Sequence, residues 1–290
     1  MITRYYRPEP LSLSAHQYLV IDRLSAGALP DTLPLTELVT PLTAPQAYLY
    51  PWLLSLNTLS VADWRWLEEQ FRLSAKNSGR PPGCLLLTSH QPESVVKSHL
   101  INMLFISDEQ RKRHMLRWFD PRVLFHLCWM TDARSLAELL HIRDIPDWTY
   151  WLNGRWQTLS FEKDNEPERE SPEPHRLFNQ LQHVGLINDV LATMPDEVDL
   201  SQREQLSQQI LHLAETGKNW LSHSRDLQAF VLHGIKNGPR FYESEMIQSL
   251  VKKYGKTPGV YYQVTRNWND EQWQAVIHNT AKKEHKGYFA

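Results

Sequence analysis

The chain has 290 residues, of which 41% are hydrophobic and 22% charged, and its 31 basic and 33 acidic residues give a formal net charge of −2. This balance argues against nucleic acid or an anionic membrane as the main partner. Two cysteines in apolar runs, Cys84 and Cys128, exclude a disulfide framework and predict no metal site. Because we find no apolar signal region and no run of roughly 20 apolar residues, we expect a cytoplasmic protein without membrane contact.

In the N-terminal half, apolar runs typical of buried strands alternate with runs at helical spacing. Strands are predicted at 18–21, 47–56, 84–87 and 115–119. One helix begins after Ser60, which with Asp63 has the spacing of a capping box, and another begins at Pro92. Strands that alternate with helices favour parallel crossover units. We therefore expect an α+β or α/β fold, with a small mixed or parallel sheet of four or five strands and flanking helices.

The segment around Asp120 predicts an abrupt change from strand to helix. The carboxylate of Asp120 can accept hydrogen bonds from the first helical turn, and Pro121 suits the first helical position because its missing amide hydrogen costs nothing there. The residues after Arg122 are apolar almost all round the helix, which is typical of a helix inside a domain. We interpret this segment as mainly structural.

The composition changes in the second half of the chain. Asn153 and Gly154, between aromatic residues, predict the turn of a β-hairpin. From Glu162 to His175, acidic residues and prolines alternate, which is typical of a solvated linker. Helical patterns follow it, starting with one helix along the stripe from Leu177 to Leu191. The sequence therefore predicts an α/β domain at 1–161, an acidic proline-rich linker at 162–175 and an all-helical domain at 176–290.

The run RWFDPRVL, from Arg117 to Leu124, resembles the hallmark of the type VI secretion adaptor proteins, also called effector chaperones. Further pieces stand in the same order as in that family. They are Tyr18–Asp22, Tyr48–Leu56, Trp64–Leu67, Gly83–Ser89, His99–Leu100 and Ile145–Trp148. The resemblance covers roughly residues 15–150, with Arg117, Asp120, Pro121 and Arg122 as the family motif. It implies a non-enzymatic protein without a cofactor, whose partners are a secreted effector (a toxin) and the VgrG spike protein.

Two other classes of function stay open. An enzyme could use Asp120, Arg122 and His126 as acid, clamp and base, and turnover lost in His126→Ala would favour it. A nucleic-acid-binding module could use the C-terminal lysines, and a steep salt dependence of DNA binding would favour it. These lysines are Lys252, Lys253, Lys256, Lys282, Lys283 and Lys286. We expect neither enzymatic activity nor nucleic-acid binding, since the catalytic motifs for zinc proteases, α/β-hydrolases and P-loop proteins are absent.

Aromatic residues of the helical half are the candidate partner-binding residues, since aromatic side chains dominate the energy of protein interfaces. They are Phe241, Tyr242, Tyr261, Tyr262 and Trp268. Each could instead pack the core of its own domain, and the sequence leaves both readings open. Because the resemblance stops near residue 150, we expect the helical half to supply much of the cargo specificity.

Overall fold

The apolar runs of the N-terminal half form strands of one large sheet in a computed structural model, which describes residues 2–77, 80–163, 174–194 and 199–286. The chain divides into two units, Met1–Asn179 (unit 1) and Gln180–Ala290 (unit 2). In the described part of the chain, no helix combines the length and the apolar character needed to cross a lipid bilayer.

Unit 1 contains nearly all of the strands predicted from the sequence and several more. Its strands are β1 (Ile2–Tyr6), β2 (Tyr18–Ile21), β3 (Leu35–Glu37), β4 (Trp52–Ser55), β5 (Leu85–Leu87), β6 (Phe105–Ser107), β7 (Arg113–Met115), β8 (Trp148–Leu152) and β9 (Arg155–Lys163). Its helices are α1 (Val61–Asn77), α2 (Glu93–Asn102), α3 (Pro121–Met130) and α4 (Ala133–Leu139), while α5 (Pro174–Leu181) crosses the boundary with unit 2.

Seven strands form the main sheet in the order β1-β9-β8-β5-β2-β4-β3, and β6 pairs with β7 in a separate two-stranded sheet. Every neighbouring pair in the main sheet is antiparallel, so the prediction of a small, mixed or parallel sheet was wrong. The reason lies in the position of β2. Strands β4 and β5, which α1 connects, do run in the same direction, but β2 lies between them and runs antiparallel to both.

The two ends of the sheet differ most from the sequence prediction. Residues 2–6, where no strand was predicted, form β1, which pairs with the C-terminal part of β9. Glu162 and Lys163 were assigned to the linker and instead belong to β9, while Pro174 and His175 begin α5. Residues 164–173 of the predicted linker lie outside the described residues.

The hairpin prediction is confirmed, since β8 and β9 are joined by Asn153 and Gly154, with Leu152 opposite Arg155. Both turn residues have positive φ, 50° and 74°, as a two-residue turn of this kind requires. The side chains of β8 are buried along its whole length, and Trp148 and Tyr150 are fully enclosed. This strand therefore forms the centre of the core of unit 1.

The described part of unit 2 is helical, as predicted. Its helices are α6 (Val184–Leu191), α7 (Leu200–Lys218), α8 (Ser224–Asn237), α9 (Glu245–Tyr254), α10 (Val260–Thr265) and α11 (Asp270–Lys286). The stripe from Leu177 to Leu191, predicted as one helix, is divided between α5 and α6, with Gln182 and His183 between them. Buried Phe230 of α8 contacts Phe241 and Tyr261, which places these rings in the core of unit 2.

Candidate functional site

The motif segment from Arg117 to Asp120 forms a turn between β7 and α3, in which Trp118, Phe119 and Asp120 are buried. The prediction of a strand at 115–119 was wrong, because β7 ends at Met115 and the amide of Asp120 donates to the carbonyl of Arg117 at 2.9 Å. The ring of Trp118 packs edge-on against Trp148 of β8, with 5.9 Å between the ring centroids, and is fully buried. The large apolar residues that suggested a strand therefore fix this turn against the main sheet.

Asp120 begins α3 as the sequence predicted. Its Oδ1 accepts a hydrogen bond from the amide of Arg122 at 3.0 Å, and Pro121 occupies the first helical position. The guanidinium of Arg122 then returns to the same carboxylate, with Nε 3.0 Å from Oδ1 and Nη2 2.7 Å from Oδ2. Burial alone would raise the pKa of Asp120, but the hydrogen bonds and charge of Arg122 outweigh it and lower the pKa below its ordinary value. Asp120 is therefore an ionised cap.

Arg117 joins the turn to the end of a central strand. Its Nη2 donates to Oδ2 of Asp22 at 3.0 Å, and Asp22 immediately follows β2. The Asp22 side chain is only 7% exposed and also accepts from the amide of Leu24 at 3.1 Å. An ion pair at a buried carboxylate needs such partners, since an unpaired buried charge is costly. Asp22 was not predicted as a site residue, although an acid directly after the buried run YLVI was a usable signal.

A third arginine, Arg80, lies near Asp120. Nε of Arg80 donates to Sγ of Cys84 at 3.1 Å, and its positive charge helps to lower the pKa of Asp120. Burial raises the pKa of the Cys84 thiol, and the nearby charges of Asp120 and Asp22 act in the same direction. The motif site therefore consists of Arg80, Arg117 and Arg122 around two buried carboxylates. Such a site can offer guanidinium donors to an acidic group of a partner, while its carboxylates are already occupied.

The structure places His126 away from solvent. It is fully buried in α3, and its Nδ1 accepts a hydrogen bond from Nε1 of Trp129 at 3.1 Å. Arg122, by contrast, has 53% of its side chain exposed. Asp120 and Arg122 are thus brought together as an ion pair, and His126 packs among aromatic rings of the core. Among the described residues, no group of three His, Cys, Asp or Glu side chains is arranged to hold a metal ion.

The candidate anchors of unit 2 separate into two groups. Phe241 and Tyr261 are buried, and the Tyr261 hydroxyl is hydrogen-bonded to Nδ1 of His233 at 3.0 Å, so both residues pack the core of their own unit. The other three are partly exposed, namely Tyr242, Tyr262 and Trp268.

Positively charged side chains lie near one of these three rings, that of Tyr262. The guanidinium carbon of Arg225 lies 4.2 Å from the centre of the Tyr262 ring and that of Arg266 lies 5.9 Å from it. Lys252, Lys253 and Lys256 are exposed in and after α9, whereas the side chains of Lys282, Lys283 and Lys286 lie outside the described part. Of the three accessible aromatic residues, Tyr262 therefore has cationic neighbours.

A family model described as "Domain of unknown function (DUF4123)" matches residues 38–138, which include the whole Arg117–Arg122 motif. The match leaves out β1, β2, β3, β8 and β9 of the main sheet and all of unit 2. Searches of curated proteins and of solved structures gave no match.

Proposed function

We propose that this protein is a non-enzymatic adaptor, which binds a type VI secretion effector in the cytoplasm and loads it onto the VgrG spike protein. The observation that carries this proposal is the position of the RWFDPRVL run. This run, the central piece of the resemblance, lies inside the matched range 38–138, and its charged side chains form ion pairs inside unit 1.

The state of the motif's charged groups supports a binding role over a catalytic one. Asp120 is held as an anion with a lowered pKa, so it has no proton to donate near neutral pH. Its carboxylate oxygens already accept from Arg122, and His126 is fully buried. An acid, a clamp and a base need access to a substrate, and this arrangement gives His126 none.

Unit 2 is the proposed source of cargo specificity. The resemblance and the family match both end before it, so this unit can differ between adaptors that serve different effectors. Tyr242, Tyr262 and Trp268 are the proposed anchors because partly exposed aromatic side chains are frequent hot spots at interfaces. Arg225 and Arg266 beside Tyr262 would add donors for acidic or carbonyl groups of the effector.

The test is co-expression of the full chain with the effector encoded beside its gene, followed by size-exclusion chromatography with and without the VgrG protein. We expect a stable adaptor–effector complex that also captures VgrG. Tyr262→Ala and Trp268→Ala should each weaken effector binding by about tenfold or more, the scale of an interface hot spot. Leu73→Ala is a matched control, because it shortens an exposed apolar side chain of unit 1. Absence of the complex would refute the adaptor proposal, and unchanged binding by both variants would refute the assignment to unit 2.

A further inference from the structure

A groove of about 380 Å³ opens in unit 1 beside the edge strand β3. The residues that line it include Arg23, Gly27, Leu29, Asp31, Leu35 and Trp52. Leu29, Leu35 and Trp52 also pack against the buried cluster that contains Leu19 and Leu54 of the main sheet. The floor of the groove is therefore the outer layer of a rigid core, and its position was not predicted from the sequence.

The backbone of β3 is open along the side that faces away from β4. The amide of Leu38 donates to the carbonyl of Pro51, and Thr36 lies opposite Leu53 in the same register. Hydrogen bonding alternates along an antiparallel pair, so the amide and carbonyl of Glu37 and the carbonyl of Leu35 point outward. The amide of Leu35 already donates to the carbonyl of Leu33 at 2.8 Å. Among the described residues no strand pairs with β3 on this side. Since Pro34 and Pro41 flank the strand, the open edge is short and suits one brief extended segment.

Exposed apolar side chains come from the loops next to this edge. Leu24 is 57% exposed, Leu42 is 90% exposed and Tyr48 is 58% exposed. Leu24 follows Arg23 of the groove, and Tyr48 follows Ala47, whose carbonyl accepts a hydrogen bond from Arg23 at 3.0 Å.

The charges of the groove indicate the occupant. Arg23 donates to Glu37 at 2.7 Å, and its guanidinium carbon lies 4.3 Å from the centre of the Trp52 ring, so its positive charge is already matched. Asp31 has neither a hydrogen bond nor an ion pair within the described part of the chain. The groove therefore presents one unmatched carboxylate beside the apolar side chains of Leu29, Leu35 and Trp52, which favours a basic group in whatever binds there.

We propose that this groove binds an extended, mostly apolar segment of a partner protein, which pairs with the outer edge of β3 and carries a lysine or arginine against Asp31. Main-chain hydrogen bonds to the carbonyl of Leu35 and to the amide and carbonyl of Glu37 would hold the segment, and alternate side chains would enter the groove beside Trp52. This binding does not depend on the identity of the effector or on the aromatic residues of unit 2.

The experiment uses the full chain and a fluorescein-labelled peptide of ten residues, blocked at both ends, with alternating valine and threonine and one central lysine. Fluorescence anisotropy should show saturable binding. Gly27→Trp should weaken this binding by about tenfold or more because it fills the groove. Gly27→Ala is the matched control and should bind like the wild type, since a Cβ at Gly27 meets no atom within 4 Å. Circular dichroism of each variant checks that it is folded.

Charge reversal gives a second and independent readout. Asp31→Lys should weaken binding of the lysine peptide and strengthen binding of a peptide with glutamate in its place, by about tenfold in each direction. The proposal is overturned if the wild type binds the lysine peptide without saturation, if Gly27→Trp binds it as tightly, or if Asp31→Lys keeps the wild-type preference. A wild-type dimer that Gly27→Trp dissociates, without any peptide binding, would overturn it too and assign the groove to a second copy of the chain.

Discussion

Substitution of Asp120 tests whether the motif site is mainly structural. In Asp120→Ala, α3 loses the cap to the amide of Arg122, and Arg122 loses its partner at 2.7 Å and 3.0 Å. The cap contributes about 1 kcal/mol, with a range of roughly 0.5–2 kcal/mol. The ion pair adds at most about 1 kcal/mol, because Arg122 is half-exposed and regains water when the carboxylate is removed. We therefore expect a total loss of about 1–3 kcal/mol.

Two further variants separate these contributions. Asp120→Asn keeps a side-chain oxygen for the cap and removes the charge, so it should cost less than about 1 kcal/mol. Asp132→Ala is the matched control, because Asp132 caps α4 by accepting from the amides of Arg134 and Ser135, both at 3.0 Å. Urea denaturation followed by tryptophan fluorescence would give the free energies of unfolding. If Asp120→Asn costs as much as Asp120→Ala, the cap is not the main contribution and the reasoning fails.

Three further predictions concern buried charges and their partners. Arg117→Met should cost about 1–3 kcal/mol because it leaves Asp22 buried without its ion pair, and adding Asp22→Asn should restore part of the loss in a double-mutant cycle followed by urea denaturation. Asp226→Ala should lower the midpoint of thermal unfolding, because this buried carboxylate accepts from the amides of Gly259 and Tyr262 at 2.7 Å and 2.9 Å and so holds α10. Lys252→Ala, which changes an exposed side chain, should leave the midpoint unchanged. Burial lowers the pKa values of His183 and His233 from 6.5 to about 4, with a smaller contribution from Lys218 for His183 and from Lys236 for His233. Unfolding therefore takes up protons between pH 4 and 6.5, and the stability should fall as the pH drops through this range, by at most about 3 kcal/mol for His233. His233→Asn should give a flatter profile of stability against pH.

The local elements of unit 1 were predictable because short stretches of sequence determine them. Asp120 and Pro121 define the start of α3, and Asn153 with Gly154 defines the hairpin, since each conformation depends on residues that are neighbours in the chain. The order of the strands was not predictable in this way. A crossover through α1 has the same sequence pattern whether or not β2 lies between β4 and β5, and the whole of β2 lies more than 30 residues before both strands in the chain.

The candidate site shows the same limit. Arg117 and Asp120 could be singled out from the motif, but the Asp22–Arg117 pair joins residues separated by 95 positions, and neither residue alone identifies the other. Phe241 and Tyr261 look like Tyr242 and Tyr262 in the sequence, yet the first pair is buried and the second is partly exposed. The face of a residue in an irregular or short helical segment depends on packing against distant helices, which the helical period does not specify.

The motif site and the groove beside β3 are connected through the end of β2. Asp22 and Arg23 are consecutive, and they serve the two sites separately: Asp22 binds Arg117 of the motif, while Arg23 binds Glu37 of β3 and stacks on Trp52 in the groove. A substitution that removes the Asp22–Arg117 ion pair therefore changes the residue next to Arg23, which lines the groove. If the ion pair fixes the positions of Asp22 and Arg23, Arg117→Met should weaken peptide binding at the groove, although Arg117 does not line it. If Arg117→Met leaves peptide binding unchanged while it lowers stability, the two sites are energetically independent.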